Sequence, residues 1–102
     1  MLGDSGKEIL FMLENLKNVV KEKPQEAEKS FEDIEEKWEK KQDKLAYFIE
    51  HNELEKVDNN LVSLKSYISI KNFDEVIKEI DETAFSVKHI EEKYQFNLKN
   101  IF

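Results

Sequence analysis

Apolar residues recur along this chain at the three- and four-residue intervals of an amphipathic helix, in four successive stretches. In the first, Ile9, Leu13, Leu16 and Val20 form one stripe, and a helix is expected from about Ser5 to Glu22. Ser5 followed by Glu8 has the spacing of a capping box, and Lys21 and Lys23 suit the negative end of the helix dipole. Pro24 then punctuates the chain, because proline is tolerated at a first helical position. A second helix is predicted over about Gln25–Glu50, with Ala27, Phe31, Ile34, Trp38, Leu45, Phe48 and Ile49 on its seam and Trp38 read as core. Its acids cluster early and its lysines late, and Asp33–Lys37 and Glu36–Lys40 are favourable pairs one turn apart.

The stripe loses phase in "FIEHNELEKVD", Phe48 to Asp58. Apolar residues are due near positions 52 and 56, where Asn52 and Lys56 stand, and a new stripe starts at Leu54, Val57, Leu61, Leu64 and Ile68. A slip of this kind predicts that the chain doubles back at Asn52, with His51 and Asn52 at the corner and Asn52 capping a third helix over about Glu53–Ile70. Asn72 followed by Glu75 repeats the device and opens a fourth helix, about Phe73–Gln95, with Val76, Ile80, Thr83, Val87, Ile90 and Tyr94 inward. The last stretch, 96–102, is an apolar tail expected to pack back. The result is an all-α antiparallel four-helix bundle made of two helical hairpins. The halves echo one another at a shift of about 48 residues. "KPQEAEKSFEDIEEKW" has a tetratricopeptide flavour, but the glycine and tyrosine of that signature are missing.

Composition narrows the function classes. The chain has 102 residues, enough for one domain, read as a leader or disordered segment at 1–6 followed by one helical domain over 7–102. Two glycines and one proline leave few tight turns. Net charge is −7 and every one of the 16 basic residues is lysine, which argues against nucleic acid and against an anionic membrane surface. The absence of cysteine removes thiolate chemistry and cysteine metal sites. No apolar run approaches a membrane span, and no glycine-rich phosphate loop or hydroxyl with an evident base stands out. Hence no cofactor and no enzymatic activity are expected.

Two features carry candidate chemistry. His51 and His89 are the only histidines, and an up–down–up course of helices two to four puts both toward one end, with Glu50, Glu53 and Glu92 in range. Histidine with carboxylate is a ligand set for a divalent metal or small ligand. Helical angles oppose convergence, since His89 points away from the fourth stripe. The other feature is a second row on helix four, Phe85, His89, Glu92 and Phe96, with Phe11 and Tyr47 also off their stripes. Either helix four buries two faces, one against helix one, or these rings form an exposed face for a protein partner or a second copy.

"EKW" (Glu36–Trp38), "FIEHNELEKVD", "SYI" (Ser66–Ile68), "HIEEK" (His89–Lys93) and the ending "NLKNIF" occur in an order and spacing that resemble domain of unknown function family 4363, over about residues 9–102. The resemblance implies a short protein of Gram-positive bacteria, without assigned activity, whose helical part is held outside the cytoplasm by a preceding hydrophobic segment. That segment is absent from this sequence, so the chain either is a soluble fragment with "MLGDSG" as leader, the reading favoured here, or departs from the family. The resemblance draws attention to His51 and His89 but supplies no ligand for them.

Overall fold

The computed structural model describes the backbone of residues 2–101 and the side chains of residues 6–94. It contains four helices: α1 (Leu2–Glu22), α2 (Ala27–Leu45), α3 (His51–Ser69) and α4 (Phe73–Ile101), with a 3₁₀ turn at Pro24–Glu26 before α2. Each packs on its neighbours in the order α1–α2–α3–α4–α1, closing a two-by-two ring. Overall extents of 41 × 21 × 19 Å match two helix diameters across. α4 makes the broadest seams, with α1 and α3; α2 and α3 meet least closely.

Cross-helix contacts fix the directions. Glu8 pairs with Lys37, Lys65 with Glu35, His89 with Glu53 and Lys17 with Asp81. Second contacts, Gln42–Asp58, Asn60–Glu79 and Gly6–Glu91, show one residue number rising as the other falls, and α1 and α2 join through the short link at 23–26, so all four seams are antiparallel.

The core is the set of stripes expected from the sequence. Ile9, Leu13, Leu16 and Val20 from α1 meet Ala27, Phe31, Ile34 and Trp38 from α2, with Leu54, Val57, Leu61, Leu64 and Ile68 from α3. Val76, Ile80, Val87, Ile90 and Tyr94 complete it from α4. Each fully buried Leu, Ile or Val contributes about 1.5–3 kcal/mol. Thr83 is wholly buried on the same stripe, and its hydroxyl donates to the Glu79 carbonyl at 2.7 Å, so no donor is stranded.

Boundaries differ from expectation where the stripe hides the turn. α2 ends at Leu45, five residues before Glu50, and the reversal occupies residues 46–50. Leu45 and Ile49 are both buried, so the apolar rhythm continues through the turn. Phe48 N–H and Ile49 N–H both donate to the Leu45 carbonyl at 2.9 Å, closing a tight coil without glycine. Asn52 is therefore not the cap. Glu50 precedes α3 with extended backbone (ψ 140°), and its carbonyl accepts the Glu53 N–H at 3.0 Å. The chain does double back, but before His51.

The α3–α4 link is a Schellman closure. Lys71 N–H donates to Ile68 O and Asn72 N–H to Tyr67 O, each at 3.0 Å, with Lys71 in the left-handed region at φ 59°. Asn72 then caps α4 as expected: its Oδ1 accepts the Glu75 N–H at 3.4 Å. At the ends, α1 starts at Leu2, upstream of Ser5 and through the stretch set apart as a leader. α4 runs on through Ile101, so the backbone of the apolar tail continues the helix as far as that residue.

Candidate functional site

Glu53 occupies a core-stripe position, one turn before Val57, and its side chain is buried in the first turn of α3. A carboxylate taken out of water needs compensating charge. Lys93 supplies it, with Nζ 3.6 Å from Glu53 Oε1, and His89, one turn earlier on α4, lies beside the same carboxylate with Nε2 3.6 Å from Oε2. Lys93 also sits over the Tyr94 ring, 5.5 Å from its centroid. Desolvation pulls the Lys93 pKa down, but Tyr94, Glu53 and Glu50 together outweigh it, and the ammonium is held above its ordinary range. Tyr94 ties the corner to this cluster, its hydroxyl oxygen accepting the Glu50 N–H at 3.3 Å.

His51 lies apart. Its imidazole is 91% exposed, with Nε2 3.2 Å from Glu55 Oε2 on the next turn of the same helix. Glu53 and Glu55 are two positions apart, which on a helix means nearly opposite flanks. The two histidines thus pair with carboxylates on different sides of α3. Among the described residues, no group of three or more His, Asp or Glu is placed to hold a metal ion. The Lys93 ammonium beside Glu53 opposes a cation there as well.

In the second row on α4, Phe85 and Glu92 face solvent, while His89 reaches Glu53. Phe85 is 73% exposed and Glu92 is exposed; the α1-facing flank of α4 is instead marked by Asp81, which takes Lys17 Nζ at 2.7 Å. Phe11 is 75% and Tyr47 86% exposed. The Phe96 side chain lies outside the described residues.

Two polar networks went unread in the sequence. Asp58 accepts Trp38 Nε1–H at 2.7 Å and Gln42 Nε2–H at 2.6 Å, bridging α2 and α3. Asn60 bridges α3 and α4, donating to Glu79 Oε1 at 3.1 Å and accepting the Ser86 hydroxyl at 2.8 Å. Burial raises the Glu79 pKa above the ordinary carboxylate range; the Asn60 hydrogen bond opposes this, and nearby Glu82 and Glu75 reinforce it. Glu79 had a legible signal, since it sits one turn from both Val76 and Thr83 on the core stripe. Between α2 and α3, a cleft of about 190 Å³ is lined by Glu28, Phe31, Glu32, Lys65, Ile68 and Ser69.

Among the described residues no helix is long and apolar enough to cross a membrane. The family model described as a domain of unknown function (DUF4363) matches residues 2–101. No curated protein and no solved structure matches the chain.

Proposed function

Because the chain belongs to the DUF4363 family, whose description assigns no activity, we propose from its surface that it is a non-catalytic helical module. It serves protein–protein interaction or a structural role at the cell envelope. The observation that carries this is Phe85, a large ring 73% exposed on the outward face of a bundle whose core is otherwise filled. An exposed phenylalanine adds nothing to a core and supplies the apolar anchor that interfaces use.

Hydroxyl groups support the non-catalytic part. Ser86 donates to Asn60, Thr83 to the Glu79 carbonyl and Ser69 to the Ser66 carbonyl, and each is engaged away from histidine. The envelope part rests on the resemblance read from the sequence, which implies a preceding hydrophobic anchor.

A photo-crosslinking residue at position 85, in cells of the native host, tests the interaction, with the same residue at Asp33 on α2 as control. Adducts specific to position 85, or concentration-dependent mass by light scattering that Phe85→Ser abolishes, support the module. The absence of both overturns it. Recovery of the native protein solely in the cytosolic fraction removes the envelope role.

A further inference from the structure

The cleft between α2 and α3 has unequal walls. Glu28, Glu32, Glu35 and Glu39 recur on α2 at spacings of four, three and four, so they stack one turn apart along one flank. Contacts fix where that flank looks: Glu28 and Glu32 line the cleft, and Glu35 Oε2 lies 3.9 Å from Lys65 Nζ across it. Asp58, on the α3 wall, is acidic and held by Trp38 and Gln42. Lys65 is thus the base that this wall sets against the row. The two seams of α1 show one-to-one pairs, Glu8–Lys37 and Lys17–Asp81, both at 2.7 Å.

Like charges one turn apart weaken a helix. The α2 dipole offsets this for Glu28 in the first turn, but not for Glu35 and Glu39 further along. Apolar surface accompanies the row. Val62, one turn from both Asp58 and Lys65, is 66% exposed beside the cleft, whose floor is the buried Phe31 and Ile68.

We infer that this cleft is a docking groove for a basic amphipathic helix of a protein partner. Glu28 to Glu39 spans about 16 Å at 1.5 Å per residue, or three turns of a helix laid alongside. Lysine or arginine at one-turn spacing would face the carboxylates, and an adjoining apolar row would cover the exposed Val62. Nucleic acid and anionic lipid carry the wrong sign. A second copy brings its own −7 and repels. Resting on the interaction-module proposal, the groove adds the chemistry of the partner.

The test uses the full chain and a synthetic amphipathic helical peptide, with lysines spaced four, three and four apart beside a leucine row. A scrambled peptide of the same composition is the control. Fluorescence anisotropy should show binding that weakens with added salt. A Glu28→Gln, Glu32→Gln, Glu39→Gln triple variant should weaken it about tenfold or more, one turn of carboxylates at a time. A Glu14→Gln, Glu22→Gln, Asp74→Asn triple, with the same net charge, should change it by less than about twofold. Circular dichroism melts confirm that both fold. Equal losses in the two triples, equal binding of the scrambled peptide, or no binding at low salt would each overturn the groove. So would self-association that the groove triple abolishes, which assigns the cleft to a second copy. Binding lost in Phe85→Ser but retained in the groove triple overturns the groove and leaves the module standing. Absence of position-85 crosslinks while the groove triple still discriminates leaves the groove standing and removes Phe85 as the anchor.

Discussion

The Trp38 indole N–H donates to Asp58 Oδ1 at 2.7 Å, joining the one tryptophan of the chain to the loosest seam of the bundle. Trp38 is buried, so its N–H depends on this acceptor. Asp58→Ala strands the donor, together with Gln42, at a cost of about 1–3 kcal/mol. Urea denaturation followed by tryptophan emission measures the loss; unchanged stability would show that the N–H finds water instead.

Glu79 makes stability depend on pH in an uncommon direction for a carboxylate. Its folded pKa is raised, first by burial, so the native state binds the proton more tightly than the unfolded chain does. Its contribution is fully present below the unfolded value near 4.5 and is lost as pH rises through the folded pKa. Glu79→Gln keeps an oxygen for Asn60 and removes the titration. The stability of the variant minus that of the parent should therefore grow as pH climbs above about 4.5 and then level off. A flat difference across pH 4–8 would contradict the assignment.

Lys71 occupies a left-handed position that glycine takes without strain. Lys71→Gly should stabilise the protein by about 0.5–1 kcal/mol, relief of side-chain strain exceeding the added freedom of the unfolded chain. Asn72→Ala, which removes the α4 cap, should cost about 1 kcal/mol. Thermal melts of the two variants moving in opposite directions is the expected signature.

How far these features were legible depends on periodicity. The four stripes were, because burial follows the helical repeat residue by residue from Ile9 to Tyr94. The end of α2 was not: Leu45 and Ile49 stay buried across the reversal, so the turn leaves no gap in the rhythm, and Asn52 offered a false cap. Lys71 was hidden because no glycine marks the position. Glu53 and His89 were both visible as candidates, but their pairing depends on which flank of α3 meets α4, and that is a property of the ring.

Phe85 separates surface from core. Being largely exposed, it should tolerate Phe85→Ser at a cost within about 0.5 kcal/mol, whereas Phe31→Ala in the core should cost about 3–5 kcal/mol. Comparable losses in chemical denaturation would place the Phe85 ring inside.

Zinc should leave the melting temperature unchanged beyond the shift seen in a His51→Ala, His89→Ala double variant. A single-site binder at a hundredfold excess over its dissociation constant would add about 2.7 kcal/mol. A zinc-dependent rise lost in the double variant would show that the two imidazoles meet after all.

Antiparallel packing of α1 on α4 has a mechanical side. The start of α1 and the late turns of α4 share one end of the bundle, where Gly6 leaves room for Glu91 to lie against it. Tension drawn through both chain ends would pull these rods apart like a zipper, breaking one layer of contacts at a time from Gly6 toward Lys17. Sideways shear, which loads every layer at once, is not engaged by such a pull, so α1 and α4 should part under small forces applied at that end of the bundle.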